Sequence, residues 1–181
     1  MFLSVKQLEV RKIQFCEDFA PGKIDFLDDS VRQAGVMHSE GEAELVSEDL
    51  GEIRIRGRVQ VEMEGDCDRC LEPMHYPLDS TFDLNYRPAV VEGEDLPKEA
   101  AINAGETEVS FYEGNGIELA EVLREYILLS LPMQRVCRQD CKGICQECGQ
   151  NRNVGDCHCE AKPVDSRWAA LREVKESLRA K

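Results

Sequence analysis

The sequence predicts an α+β protein with an antiparallel β-sheet or partly open barrel in the N-terminal half, a buried central helix, a cysteine-rich segment and a C-terminal helix. Three observations carry this prediction. Apolar and polar residues alternate through the first half, helical spacing begins near residue 117, and most cysteines lie after residue 136. The chain has 181 residues, 42% hydrophobic and 32% charged, so it can bury a core and is neither wholly disordered nor collagen-like.

The strand prediction is carried mainly by residues 52–63, where apolar and polar side chains alternate almost without fault. A strand with one buried face produces this period of two. The residues around Ala43 and Leu45 precede a turn at 48–51 and predict the hairpin partner of that strand. Residues 78–86 alternate in the same way and predict a further strand. The N-terminal half is therefore expected to be mostly antiparallel β-sheet.

Weaker strand signals lie at Ile13–Phe19, at Ile24–Leu27 and at 108–112. Residues 88–106 are acidic and interrupted by proline and glycine, which predicts a loop.

Two segments show helical spacing. Residues 117–131 predict the central helix, with Asn115 as its N-cap and Pro132 as its stop. Residues 166–178 predict the C-terminal helix through an apolar stripe that begins at Trp168. We therefore expect a β-rich domain with the central helix over 1–132. A metal-binding segment and the C-terminal helix, over 133–181, are expected to pack on it.

Charge is unevenly divided along the chain. The formal net charge is −14, but residues 1–132 carry 12 basic and 29 acidic side chains, whereas residues 133–181 carry 10 basic and 7 acidic side chains. An acidic surface repels bare nucleic acid at long range and attracts basic proteins. The alternative is that this charge only keeps the protein in solution. The sequence shows neither a secretory leader nor an apolar run long enough to span a membrane.

Nine cysteines without a secretory leader indicate metal or redox chemistry, because disulfides do not persist in a reducing compartment. Zinc takes four soft donors in a tetrahedron, and two of them often come from one tight turn. Eight of the thiols form two sets of four. We favour a proximal zinc site of Cys67, Cys70, Cys137 and Cys141, and a distal zinc site of Cys145, Cys148, Cys157 and Cys159. Alternatively, Cys137, Cys141, Cys145 and Cys148 share one ion and the outer pairs meet, or only the distal site is occupied.

The ninth thiol, Cys16, lies in an apolar stretch, which favours a buried structural role. Four protein ligands close a zinc site to water, so both zinc ions are expected to be structural. The sequence has no local catalytic pattern of serine, histidine and aspartate or of cysteine and histidine, and no phosphate-binding glycine loop. We therefore expect a binding protein without enzymatic activity and without a small-molecule substrate.

An acidic protein can bind RNA only through local positive surface, and the sequence offers two candidates. Arginine pairs with phosphate and stacks on unpaired bases. The candidates are Arg54, Arg56 and Arg58 on one face of a strand, and Arg172, Lys175 and Arg179 on the last helix. The alternative for each is a solvated face balanced by neighbouring glutamates.

Several motifs together resemble the YceD family of large ribosomal RNA subunit accumulation proteins. They are the Cys67–Cys70 turn, the helix end at 128–132, the run from Cys137 to Asn151, the Cys157-His-Cys159 motif and the tail at 163–171. The resemblance covers most of residues 40–180. It implies a cytoplasmic factor that the large-subunit ribosomal RNA needs in order to accumulate, and hence a role in ribosome biogenesis.

Three hypotheses follow for the function. The first is an assembly factor that binds ribosomal RNA, a pre-ribosomal particle or a small basic ribosomal protein. The second is a redox-regulated chaperone whose zinc thiolates release the metal on oxidation. The third is an RNA-processing enzyme.

Overall fold

The computed structural model describes residues 1–27, 30–47, 49–89 and 109–159. As the sequence predicts, these residues are mostly β-sheet with few helices. The strands are β1 (Phe2–Ser4), β2 (Ile13–Phe19), β3 (Val31–Gln33), β4 (Met37–Ser47), β5 (Glu52–Asp66), β6 (Pro73–Pro88), β7 (Val109–Tyr112) and β8 (Gly116–Glu118). The helices are α1 (Val5–Leu8) and α2 (Leu119–Ser130).

The chain divides into two compact units. The first consists of residues 1–67 and 72–135. The second consists of residues 68–71 together with the chain from Val136 onward, of which residues up to 159 are described. The prediction of two domains that meet after Pro132 stays a prediction.

Among the described residues, the main sheet of the first unit has six strands. Strands β2, β4, β5, β6 and β7 follow one another across it, and β3 pairs with one end of β5. The predicted hairpin is present as β4 and β5, and its strands run beyond the predicted bounds. All pairs in the sheet are antiparallel except β6 with β7, which run parallel, a pairing that the sequence did not predict.

The buried face of the sheet follows the predicted alternation. Ile53, Ile55, Val59 and Met63 of β5 are fully buried. Helix α2 contributes further buried side chains to the same core, among them Leu123. The sheet therefore has one apolar face, and its polar face carries the charged side chains discussed below.

Two predictions about secondary structure are wrong. Residues Ile24–Leu27 form no strand, because Asp25 Oδ1 accepts a hydrogen bond from Leu27 N (2.9 Å) and Leu27 adopts a φ of 56°, which bends the chain. Helix α2 begins at Leu119 rather than 117, and its N-cap is Glu118 rather than Asn115. The intervening residues instead form β8, which pairs with β1.

Other predictions fall on residues that the structure does not describe. The C-terminal helix at 166–178 lies outside the described residues, and so does nearly all of the acidic loop at 88–106. Neither described helix is long and apolar enough to cross a membrane.

Candidate metal centres

The first group of thiols, which we call the proximal tetrad, consists of Cys67, Cys70, Cys137 and Cys141. Their sulfur atoms all lie within 4.8 Å of one another. Cys67 directly follows β5, and its backbone N–H donates to Glu72 O (2.9 Å), which closes the turn that carries Cys70. Three of the four thiols are buried, while Cys137 is exposed. Cys70 Sγ lies 3.7 Å from Cys137 Sγ.

Within the second unit, residues 68–71 are hydrogen-bonded to the later cysteine segment through Arg69. The Arg69 carbonyl accepts from Ile144 N (2.9 Å), and the Arg69 guanidinium donates to Cys141 O (3.2 Å). Gly143 permits this approach, since its φ is 71° and a Cβ there would lie 2.9 Å from Arg69 O. These hydrogen bonds hold the turn that carries Cys70 against the segment that carries Cys141 independently of any metal.

The thiol of Cys141 is polarised by its neighbours. Burial opposes its ionisation, but hydrogen bonds from the Asn153 side chain and the Gly143 backbone, together with nearby thiols, leave its pKa lowered. Asn153 Nδ2 lies 3.3 Å from Cys141 Sγ, and Asn153 Oδ1 accepts from Lys142 N (2.8 Å). Such support orients a ligand from outside the coordination sphere.

The second group, which we call the distal tetrad, consists of Cys145, Cys148, Cys157 and Cys159. Its sulfur atoms also lie within 4.8 Å of one another. A tight turn joins the first two thiols: Gly149 N donates to Cys145 O (2.9 Å), and Gly149 has a φ of 74° that favours glycine. Cys145 N donates to Gln150 O (2.8 Å), so the loop returns alongside the first cysteine.

Hydrogen bonds give the thiols of the distal tetrad different pKa values. Backbone N–H groups of Cys148 and Glu147 lower the pKa of Cys145 to about 6. A hydrogen bond with Cys148 and burial raise the pKa of Cys159 to about 12, and a hydrogen bond with Cys145 raises that of Cys157. Four thiolates therefore do not coexist here without a cation between them, and their donor set fits a soft divalent metal.

The structure brings the eight thiols into the two sets favoured from sequence spacing. It does not place Cys137 and Cys141 in one set with Cys145 and Cys148. Each tetrad could hold a metal ion, since four sulfur donors at this separation can close around one. In both tetrads the thiols come in pairs separated by one to three residues, so short turns and loops leave the two thiols of each pair side by side.

A third group was missed from the sequence. Cys16, His38 and Glu40 offer ligand atoms within 4.8 Å of one another. The prediction that Cys16 is buried is wrong, because its side chain lies on the exposed face of β2. The available signal was alternation: Phe15 and Phe19 are the apolar positions of β2, and Cys16 falls between them on the opposite face.

The first predicted RNA-binding group, which we call the arginine strip, consists of Arg54, Arg56 and Arg58 on the polar face of β5. Each arginine is paired with a carboxylate of a neighbouring strand. Arg54 contacts Asp83 through two nitrogens (2.7 and 2.5 Å), and Arg58 contacts Asp79 through two (both 2.7 Å).

The third member of the strip, Arg56, binds Glu42 Oε1 through its Nε (2.7 Å). The paired arginines lower the pKa of Asp79 and of Asp83. The positive charge of the arginine strip is thus matched by carboxylates. The other predicted group, Arg172, Lys175 and Arg179, lies outside the described residues.

Comparison with known families adds an identity. A family model described as large ribosomal RNA subunit accumulation protein YceD matches residues 55–175, which include both tetrads. The chain belongs to the YceD family. Among relatives of this YceD chain, an uncharacterised protein of Mycobacterium tuberculosis is 28% identical over 156 residues, which cover 86% of this chain and 70% of the relative.

Two plant relatives carry the family name. A protein of Arabidopsis thaliana named large ribosomal RNA subunit accumulation protein YCED homolog 1, chloroplastic, is 24% identical over 148 residues, 71% of this chain and 46% of the relative. The protein of the same name in Zea mays is 28% identical over 145 residues, 66% of this chain and 50% of the relative. No solved structure matches this YceD chain.

Proposed function

We propose that this chain is a non-enzymatic, cytoplasmic ribosome-biogenesis factor that supports the accumulation of large-subunit ribosomal RNA. The observation that carries the proposal is the match to the YceD family over residues 55–175. The family name and the names of the plant relatives refer to ribosomal RNA accumulation. Binding to the RNA, to a pre-ribosomal particle or to a ribosomal protein is the way in which such a factor would act.

Each tetrad is proposed to hold one structural zinc ion. Four sulfur donors suit zinc, and all four coordination positions are taken by protein. Zinc would act as a cross-link that contributes to folding rather than as a centre of catalysis. The arrangement therefore supports a binding protein, in which the tetrads hold short turns in a defined shape.

Between the two kinds of partner, the charges favour a basic protein over bare RNA. Each guanidinium of the arginine strip has a carboxylate partner, so little positive potential remains for phosphate groups. The N-terminal 132 residues carry 29 acidic side chains against 12 basic ones. A basic ribosomal protein would be attracted to this surface.

The first unit offers a groove that suits such a partner. It has a volume of about 520 Å³ and lies between α2 and strands β7 and β8. Phe111, which is 65% exposed, lines it together with Arg124 and three carboxylates, those of Glu113, Glu121 and Glu125. An aromatic ring among carboxylates can bind an arginine or lysine side chain through stacking and ion pairing. We propose this groove as the docking site.

A first experiment tests the function itself. Deletion of the gene should lower the ratio of large-subunit to small-subunit ribosomal RNA, and the intact gene should restore it. An unchanged ratio in the deletion strain would contradict the proposal.

A second experiment tests the mode of action. Affinity purification after crosslinking, with sequencing of bound RNA and mass spectrometry of bound protein, identifies the partner. We expect one small basic ribosomal protein to be enriched over the others. Equal recovery of every basic protein would reduce the partner proposal to non-specific attraction.

The redox-regulated chaperone is the alternative, and the tetrads serve both hypotheses equally. Peroxide treatment of the purified protein separates them. Release of metal accompanied by a gain in holdase activity would favour the chaperone. Metal-dependent cleavage of RNA by the pure protein would instead favour an enzyme.

A further inference from the structure

Three donors of different chemistry meet on the polar face of the sheet. They are Cys16 of β2 with His38 and Glu40 of β4, and we call them the sheet-face trio. The Cys16 thiol, a nitrogen of His38 and a carboxylate oxygen of Glu40 lie within 4.8 Å of one another. Strand pairing produces this arrangement, since Cys16 lies directly opposite Glu40 and Asp18 lies directly opposite His38.

The core holds the sheet-face trio in register. Phe15 and Phe19 of β2 are buried on the other face, and Met37 of β4 is fully buried. A shift of one residue between the strands would expose these side chains, so the apolar face fixes the pairing that sets Cys16 beside Glu40. The donors are thus held on a rigid element rather than on a loop, which reduces the cost of ordering them around an ion.

The carboxylate of Asp18 orients the His38 ring. Its Nδ1 lies 2.7 Å from Asp18 Oδ1, which leaves Nε2 as the nitrogen for a metal. Histidine ligands in metal sites commonly bond their second nitrogen to a carboxylate, which fixes the tautomer and the ring plane. Arg58 of β5 lies directly opposite Glu40, but its guanidinium binds Asp79.

We propose that Cys16, His38 and Glu40 form a third, exchangeable zinc site, with Asp18 as the residue that positions His38. A thiolate, an imidazole and a carboxylate together suit zinc and exclude magnesium and calcium, which prefer all-oxygen sites. Three protein ligands leave the fourth position open to water. All three ligands precede residue 55, so the site lies outside the part of the chain that the YceD model matches.

Alkylation of Cys16 tests the site without interference from the tetrads. The full-length protein, with its tetrads loaded, is treated with iodoacetamide with and without added zinc, and the Cys16 peptide is followed by mass spectrometry. Cys16 is exposed and should react readily in the absence of free zinc. Zinc at ten times its dissociation constant would leave about one-tenth of the sites free and slow the alkylation about tenfold.

Matched variants identify the ligands. His38→Asn and Glu40→Gln should abolish protection by zinc, and Asp18→Asn should weaken zinc binding by about tenfold or more. His75→Asn is the control, because His75 also pairs with a carboxylate on this sheet, Glu62 (3.5 Å). It should keep full protection, and magnesium should protect none of the proteins.

Two outcomes would overturn the site. One is an equal rate of Cys16 alkylation with and without zinc. The other is protection that survives His38→Asn in a variant whose circular dichroism shows a native sheet.

Discussion

Asp79 and Asp83 of β6 have the same role, because each accepts two hydrogen bonds from an arginine of β5. Their pKa values are lowered first by these hydrogen bonds. Both carboxylates are about half exposed, so solvent screens the pairs and their contribution to stability is small. The main consequence of the pairs is that carboxylates neutralise the positive charge of the arginine strip.

This pairing gives a prediction at the scale of one side chain. Arg58→Gln should raise the pKa of Asp79 toward its usual range, because the two hydrogen bonds and the attraction of the cation are lost. A lowered carboxyl pKa contributes stability above its unfolded value that is lost as pH falls through the folded value. The variant should therefore lose less stability than the parent on acidification. NMR titration of the aspartate carboxyl carbons measures the pKa directly.

Arg54→Gln is the matched control for this titration. It should raise the pKa of Asp83 and leave that of Asp79 unchanged. If both variants moved both carboxyls equally, the shifts would reflect general charge rather than the two specific pairs.

A second residue-scale prediction concerns metal content. Cys148→Ser should remove about one metal equivalent of two and leave the β-sheet folded, because Cys148 belongs to the distal tetrad and metal binding there contributes to local folding. Elemental analysis of protein purified without added metal measures the loss. Cys16→Ser should lose no tightly bound metal. Loss of both ions from Cys148→Ser would argue against two separable sites.

At the scale of elements, a row of four residues crosses the sheet. Phe15, Gly41, Gly57 and Phe82 lie opposite one another on β2, β4, β5 and β6. The glycines leave room for the two aromatic rings and for close backbone contact between β4 and β5. A Cβ on Gly57 would collide with the Glu40 carbonyl and lie 3.0 Å from Phe82 Cζ. The row therefore fixes how closely the central strands approach.

Gly57→Ala should accordingly destabilise the protein by about 1–3 kcal/mol through overpacking. Urea unfolding followed by circular dichroism measures the change. Gly35→Ala is the control, since a Cβ there meets nothing within 4 Å, and it should stay within about 1 kcal/mol of the parent. Equal losses in the two variants would contradict the collision as the cause, because replacing glycine by alanine lowers the entropy of the unfolded chain and does not by itself destabilise the protein.

The arginine strip gives the element-scale test of RNA binding. Replacing Arg54, Arg56 and Arg58 together with glutamine should leave metal content unchanged and crosslinking to large-subunit ribosomal RNA nearly unchanged, because the carboxylate partners already compensate the charge. Reverse transcription of crosslinked RNA gives the readout. A strong loss of crosslinking in the folded variant would restore the strip as an RNA-binding surface.

The elements differ in how far the sequence predicts them, for a physical reason. The hairpin of β4 and β5 and the strand β2 were predicted because each records its burial locally, as alternation along the chain. The pairing of β1 with β8 joins the chain start to residues 116–118, and no local pattern reports such a distant partner. The thiol pairs were accessible because turns place neighbouring cysteines together, whereas the choice of which two pairs share a tetrad was left between two groupings. The sheet-face trio was not, because it needs the register between two strands.

For the whole molecule, the distribution of charge decides which partners approach quickly. The fields of many carboxylates add at long range, whereas each ion pair on the sheet contributes almost no net field there. Salt shortens that range, to about 10 Å at 0.1 M ionic strength. A basic ribosomal protein should therefore associate with the acidic first unit at a rate that depends steeply on salt.

Binding of the enriched ribosomal protein should slow by about tenfold or more in association rate when salt is raised from about 0.05 M to about 0.5 M, with a smaller change in dissociation rate. Surface plasmon resonance measures both rates. Glu121→Gln combined with Glu125→Gln should also accelerate dissociation, because these carboxylates line the groove beside Phe111. The control Glu9→Gln combined with Glu62→Gln removes equal charge from side chains that do not line the groove, and should lower only the association rate. If both double variants dissociated at the parental rate, the partner would be held elsewhere on the chain.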